Sequence, residues 1–142
     1  MKSFFVPGIP KPGGSKSFMG FSRKGRAILV DASKNVDWKN AVWCAAKQEF
    51  LEPMQGPIYL KVVFVMPRPK YHFRKNGELK PDAPKLHTIT PDRTKLLRST
   101  EDAMKGIAWL DDGQVCAGPT LKIYGAKPGA FITISDPMEV EA

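Results

Sequence analysis

The sequence of 142 residues predicts one α/β (α+β) domain in which a mixed β-sheet packs against two main helices. Three observations carry that prediction. The length is close to the ~150 residues of one domain. The composition, 42% hydrophobic and 25% charged, is that of a globular chain with a core. The apolar segments alternate in kind, short β-branched runs with two stretches of helical period, in the order β, β, α, β, α, β, β. No repeat or internal linker divides the chain, so the domain spans residues 1–142.

Residues 3–6 read as a strand that ends at Pro7. Residues 7–27, rich in Gly, Pro, Ser and Lys, read as a long basic loop, and residues 27–30 as a short strand. Ser33 is a suitable N-cap for a helix over 34–51, whose apolar set is Val36, Trp38, Ala41, Val42, Trp43, Ala45, Ala46 and Phe50. Pro53 and Gly56 end it. The run IYLKVVFVM at 58–66 is the strongest strand, stopped by Pro67 and Pro69. Residues 67–90 form a second long basic loop around an Asn76-Gly77 turn. Over 92–105, Leu96, Leu97, Thr100, Ala103 and Met104 share one helical face, and Gly106 suits its C-terminal end. One or two strands follow over 114–124, interrupted at Gly118-Pro119. A last strand at 130–135 precedes an acidic tail, 136–142.

Several function classes drop out. No apolar run approaches the ~20 residues of a membrane span. The N-terminal MKSFFVPGIP is too short and too broken by proline for a signal peptide, so a cytoplasmic protein without membrane partners is expected. Cys44 and Cys116 show no metal spacing, and His72 and His87 lie near neither. Both cysteines read as small buried apolar residues, and nothing supports a zinc site, a disulfide framework or a thiol protease.

The balance of 22 basic against 14 acidic residues, net +8, favours a polyanionic partner. The excess is concentrated. Residues 1–30 hold Lys2, Lys11, Lys16, Arg23, Lys24 and Arg26 with no acid, interleaved with Phe18 and Phe21. Residues 67–90 hold Arg68, Lys70, Arg74, Lys75, Lys80 and Lys85, with Tyr71 and Phe73, against Glu78 and Asp82. Cations neutralise phosphates and flat rings stack on exposed bases, so these stretches are candidate DNA-binding segments.

Chemistry is concentrated between Thr90 and Val115. Asp92 opens the second helix, and Asp111-Asp112 stands about twenty residues later, just before a strand. If helix and strand pack side by side, their starting points converge on one pocket. Mg²⁺ takes oxygen ligands and keeps several waters, so two or three carboxylates hold it. Such an ion activates water in phosphodiester cleavage, and Lys95 and Arg98 on the same helix are cations suited to the developing charge. Taken singly, Asp92 is also a common helix-capping acid and Asp112-Gly113 a common turn.

The block reads P-D-R-T-K-L-L-R-S-T-E-D-A-M, then K-G-I-A-W-L, then D-D-G-Q-V. It resembles the signature of the RusA family of Holliday junction resolvases, small endodeoxyribonucleases common in phages: P-D-x-D-[N/K]-L-x-[K/R]-x-x-x-D-A-L, a spacer, then D-D-x-Q-V. The resemblance implies a RusA-like fold and a homodimer that resolves four-way DNA junctions by paired nicks, with Mg²⁺ as cofactor and Mn²⁺ also suited to such a site. It implies metal binding by Asp92 and Asp112, with Asp111 and Thr94 assisting, and Arg98 in the place of a catalytic lysine. Asp102 matches a recurrent helix aspartate with a supporting role. The departure from the pattern is Thr94, which stands where the family has its second aspartate and brings no charge. For that reason a non-catalytic branched-DNA-binding protein on the same scaffold is the alternative. A basic structural or RNA-binding protein, its acids mere caps and turns, is a further one.

Overall fold

The computed structural model describes residues 1–13, 16–21, 27–31 and 35–140. In chain order its elements are β1 (Lys2–Pro7), β2 (Lys16–Phe21), β3 (Ala27–Asp31), α1 (Val36–Glu49), β4 (Ile58–Met66), α2 (Arg93–Met104), β5 (Val115–Ala117), β6 (Thr120–Tyr124) and β7 (Gly129–Ser135). This is the predicted α+β order with two strands more, because 114–124 forms two strands and the 7–27 stretch contributes another. KSFMGF, inside the stretch read as a loop, becomes β2 by antiparallel pairing with β3, Ser17 opposite Val30 and Phe18 opposite Leu29. Its glycine- and serine-rich flanks hide a strand that exists only through that partner. The expected cap Ser33 lies outside the described residues; Asn35 occupies the N-cap position of α1.

The mixed sheet is built around β4, which pairs antiparallel with β7, itself antiparallel to β1. On its other edge β4 runs parallel first to β5 and then to β6. The expected interruption at Gly118-Pro119 is therefore a break in one edge path. Gly118 has φ +120°, and a Cβ there would collide with the Leu60 carbonyl, so glycine is required. Side-chain alternation along β4 sends Ile58, Leu60, Val62, Phe64 and Met66 to the helix-covered face, all buried.

On that face lie Trp38, Val42, Ala46 and Phe50 of α1 and its end, and Leu96, Thr100, Ala103 and Met104 of α2. Trp38 Nε1 donates to Thr100 Oγ1 at 3.1 Å, so the buried indole N–H that joins the helices is satisfied. Three expectations for α1 are corrected. Its buried residues recur every four positions, and at 100° per residue Val36 and Trp43 fall well off that stripe, 64% and 47% exposed. Cys44 falls on the opposite side of the helix and is exposed, as is Cys116 on the short edge strand β5.

Two connections shape the surface around α2. The segment 8–13 is strapped across it: Gly13 N–H donates to the Lys95 carbonyl (2.9 Å), Ser99 Oγ to the Lys11 carbonyl (2.5 Å), and Asn35 Nδ2 to the Pro12 carbonyl (3.1 Å). A Cβ on Gly13 would stand 2.9 Å from Ser99 Cβ, so the strap lies flush on the helix. Residues 67–90 are more ordered than a polar loop: a 3-10 turn at Lys70–His72 leads into a small hairpin, Phe73 opposite Leu79, turning at Gly77 with φ +88°.

Candidate functional site

The acids of the motif stand at opposite ends of α2. At the first end Asp92 occupies the N-cap position, yet its side chain makes no capping hydrogen bond. Its carboxylate stands 3.8 Å from Lys95 Nζ instead. An open groove of about 560 Å³ lies here, lined among others by Lys11, Pro12, Met66, His87, Thr90, Asp92 and Lys95. The loop before Asp92 is tied by Lys122, whose Nζ donates to the Ile89 and Pro91 carbonyls, both at 2.8 Å. Burial lowers the Lys122 ammonium from its ordinary 10.5, and Asp92 pulls it back up. His87 is buried at 6% exposure, with its Nδ1 unpartnered. Burial, and then the Lys122 charge, lower its imidazole from the ordinary 6.5.

At the other end, residues 111–114 form a 3-10 turn closed by a capping box. Asp111 accepts from Gly113 N–H at 2.9 Å. Asp112 accepts from the Nε1 of the fully buried Trp109 at 3.2 Å and stands 3.9 Å from Lys105 Nζ. Gln114 anchors the pair. Its Oε1 accepts from the Leu110 and Asp111 N–H groups, and its Nε2 donates to the Met54 and Gly56 carbonyls. Glu101, one turn before Lys105, has its carboxyl raised above the ordinary 4.5 by burial, then by the neighbouring charges of Asp112 and Asp102.

A helix of 12 residues is about 18 Å long, so Asp92 and Asp112 of one chain are separated by roughly that span. Two oxygens on one Mg²⁺ lie about 4 Å apart at most. Among the described residues no three His, Cys, Asp or Glu side chains are grouped closely enough to hold an ion. The expected convergence of Asp92 with Asp111 and Asp112 in one pocket of one chain is thus corrected: α2 packs antiparallel to the path into β5, so the two motif halves meet its two ends. Between them runs an exposed ridge. At 100° per residue Thr94, Arg98, Glu101 and Lys105 share one side of α2, Glu101 half-buried and the other three exposed. Asp102 lies beside it, 3.8 Å from Lys39 Nζ.

The cationic candidates divide. Lys11, Lys70, Arg74, Lys75 and Lys95 are exposed. Arg68 is committed internally: its guanidinium donates to the Pro84 carbonyl at 2.8 Å, meets His72 Nδ1 at 3.3 Å and stacks 5.2 Å from the Tyr124 ring. It ties the 67–90 segment to β6 rather than facing solvent as a free cation. Lys16 lies on β2, and Arg23, Lys24 and Arg26 lie outside the described residues.

A family model described as endodeoxyribonuclease RusA matches residues 7–135. The chain belongs to the RusA family. That family consists of endodeoxyribonucleases that act on branched DNA, Holliday junctions among them. A search of curated proteins found no match. The RusA match takes in both ends of α2, the strap and the 67–90 hairpin. Sequence reasoning missed Trp109, Gln114, Glu101, His87 and Lys122. For Gln114 a signal exists, because a capping box pairs an Asp with a Gln three residues on. For the others only the packing shows the contact.

Proposed function

We propose that this RusA-family chain is a Mg²⁺-dependent endonuclease, with Mn²⁺ an alternative metal, that resolves Holliday junctions by paired nicks as a homodimer. The observation that carries the proposal is the exposed ridge of α2, with a motif aspartate at each end, in a chain of net charge +8. The acids of one chain do not fit a single ion. Two chains related by a two-fold axis across the middle of α2 would set Asp92 of each near Asp112 of the other, because the axis reverses the helix direction. Thr94 would border that site and Arg98 would lie near the axis. Extended from there toward the site, its guanidinium would stabilise the charge that builds on the phosphate as water adds and the P–O bond breaks. Asp111, held by the turn, would orient Asp112 rather than bind. Lys11, Lys70, Arg74, Lys75 and Lys95 would contact backbone phosphates, so affinity would fall steeply with salt.

The test is cleavage of a synthetic four-way junction. With Mg²⁺ paired nicks should appear, and with EDTA they should not. Asp92→Asn and Asp112→Asn should each lower the rate by about a hundredfold or more. A junction left intact under all metal conditions overturns the enzyme reading. One observation favours the second reading, a branched-DNA-binding protein without cleavage: Thr94 leaves the first turn of α2 with no second acid. That reading predicts tight junction binding indifferent to Mg²⁺, and cleavage that emerges in Thr94→Asp.

A further inference from the structure

A histidine lining the groove at the start of α2 has one ring nitrogen that the fold buries unmatched. His87 is 6% exposed, lines the groove, and has a buried Nδ1 with no hydrogen-bond partner. Its position is fixed: its backbone N–H donates to the Lys122 carbonyl at 3.0 Å, and its ring centroid lies 5.0 Å from that of Tyr124. A proton on Nδ1 would leave a buried donor without an acceptor, the costlier arrangement, so the proton belongs on Nε2. Since Nδ1 is inaccessible, Nε2 is the ring nitrogen that the groove can reach. Around the same opening stand Lys11, Lys95 and the first turn of α2, where Asp92 makes no capping bond and the leading N–H groups stay open. Lys95 Nζ, 3.8 Å from the Asp92 carboxylate, offsets that acid's charge, so the unmatched helix N–H groups and the Lys11 ammonium suit an anion.

We propose that His87 is a positioning residue of this groove, its Nε2–H donating to a non-bridging oxygen of a DNA backbone phosphate seated between Lys11, Lys95 and the first turn of α2. The proposal rests on the DNA-processing reading above and adds the group that orients the strand beside Asp92. The neutral imidazole contributes direction rather than charge, because burial and Lys122 disfavour its protonation.

The test is binding of a fluorescently labelled four-way junction by anisotropy in EDTA, so that no strand is cut. His87→Leu removes both nitrogens and keeps an apolar filling, so the fold should be retained or stabilised in thermal unfolding. Junction affinity should fall about fivefold to tenfold, the loss of one hydrogen bond. His87→Gln, which keeps an N–H at the reach of Nε2, should recover most of that affinity, and its rescue serves if His87→Leu does not fold. Wild-type-like binding by His87→Leu, or equal losses in Leu and Gln variants that both fold, overturns the role of His87 alone. Failure of the unaltered protein to bind the junction overturns the DNA reading and this proposal with it.

Discussion

Asp112 is oriented by an indole. One of its oxygens accepts from Trp109 Nε1, while the other faces Lys105. Trp109→Phe keeps most of the buried ring and removes that donor. It should cost about 1–2 kcal/mol of stability. It should also lower junction nicking by about tenfold, as expected for a group that orients a functional carboxylate. Urea unfolding beside a cleavage time course separates the two, and an unchanged nicking rate would refute the orienting role. Glu101 offers a pH test. Its folded carboxyl is raised above the ordinary 4.5 by burial, Asp112 and Asp102, so ionisation disfavours the fold. The folded state is favoured while Glu101 is protonated, and that advantage is lost as pH rises from its unfolded value through the folded one. Glu101→Gln should therefore raise the thermal midpoint at pH 7 by about 2 °C. Below the ordinary 4.5 the gain should vanish. A gain equal at both pH values would contradict the sign.

At the scale of elements, α2 is held from two sides. The 8–13 strap closes one through Ser99 and the Lys95 carbonyl, and Gln114 closes the other by tying the Asp111-Asp112 turn to residues 54 and 56. The edge path β5–β6 links both ends, because Asp112 leads into β5 while Lys122 of β6 braces the loop before Asp92. Gly118 is the point where that path bends past Leu60. Gly118→Ala should destabilise by about 2–4 kcal/mol through strained backbone and a carbonyl clash. Chemical denaturation measures it; a loss below about 0.5 kcal/mol would mean that the edge path adjusts freely.

At the scale of the molecule, Asp92 and Asp112 of one chain stand at opposite ends of α2, and the proposed function assigns each site to two chains. Equal amounts of Asp92→Asn and Asp112→Asn protein, unfolded together and refolded, test whether two chains share a site. A mixed dimer in which sites are shared has one wild-type pair, Asp92 of one chain and Asp112 of the other. Nicking should then return to about a quarter of the wild-type level, since half of random dimers are mixed and half of their sites are intact. If each chain held its own site, the mixture would stay as inactive as its components.

Much of this was legible in the residues alone. IYLKVVFVM is a strand because β-branched and aromatic side chains suit a pleated, buried surface. Leu96, Thr100, Ala103 and Met104 recur at helical spacing and are buried together. The P-D…D-D-G-Q-V order pointed to the RusA family that the match shows, because acids, a cation and a turn in fixed order are local information. What lay beyond reach was non-local. β2 exists through pairing with β3, Arg68 is drawn inward by Pro84, His72 and Tyr124, and His87 is buried by packing that no spacing encodes.

The order of residues decided the elements, the positive charge and the acids and cations carried on α2, since propensity, periodicity and ionisation are properties of short segments. Only the folded arrangement decided that Asp92 and Asp112 point from opposite ends of that helix. Direction and distance between segments arise from how their buried faces stack: α2 lies on the sheet with its start beside β6 and its end beside the turn into β5.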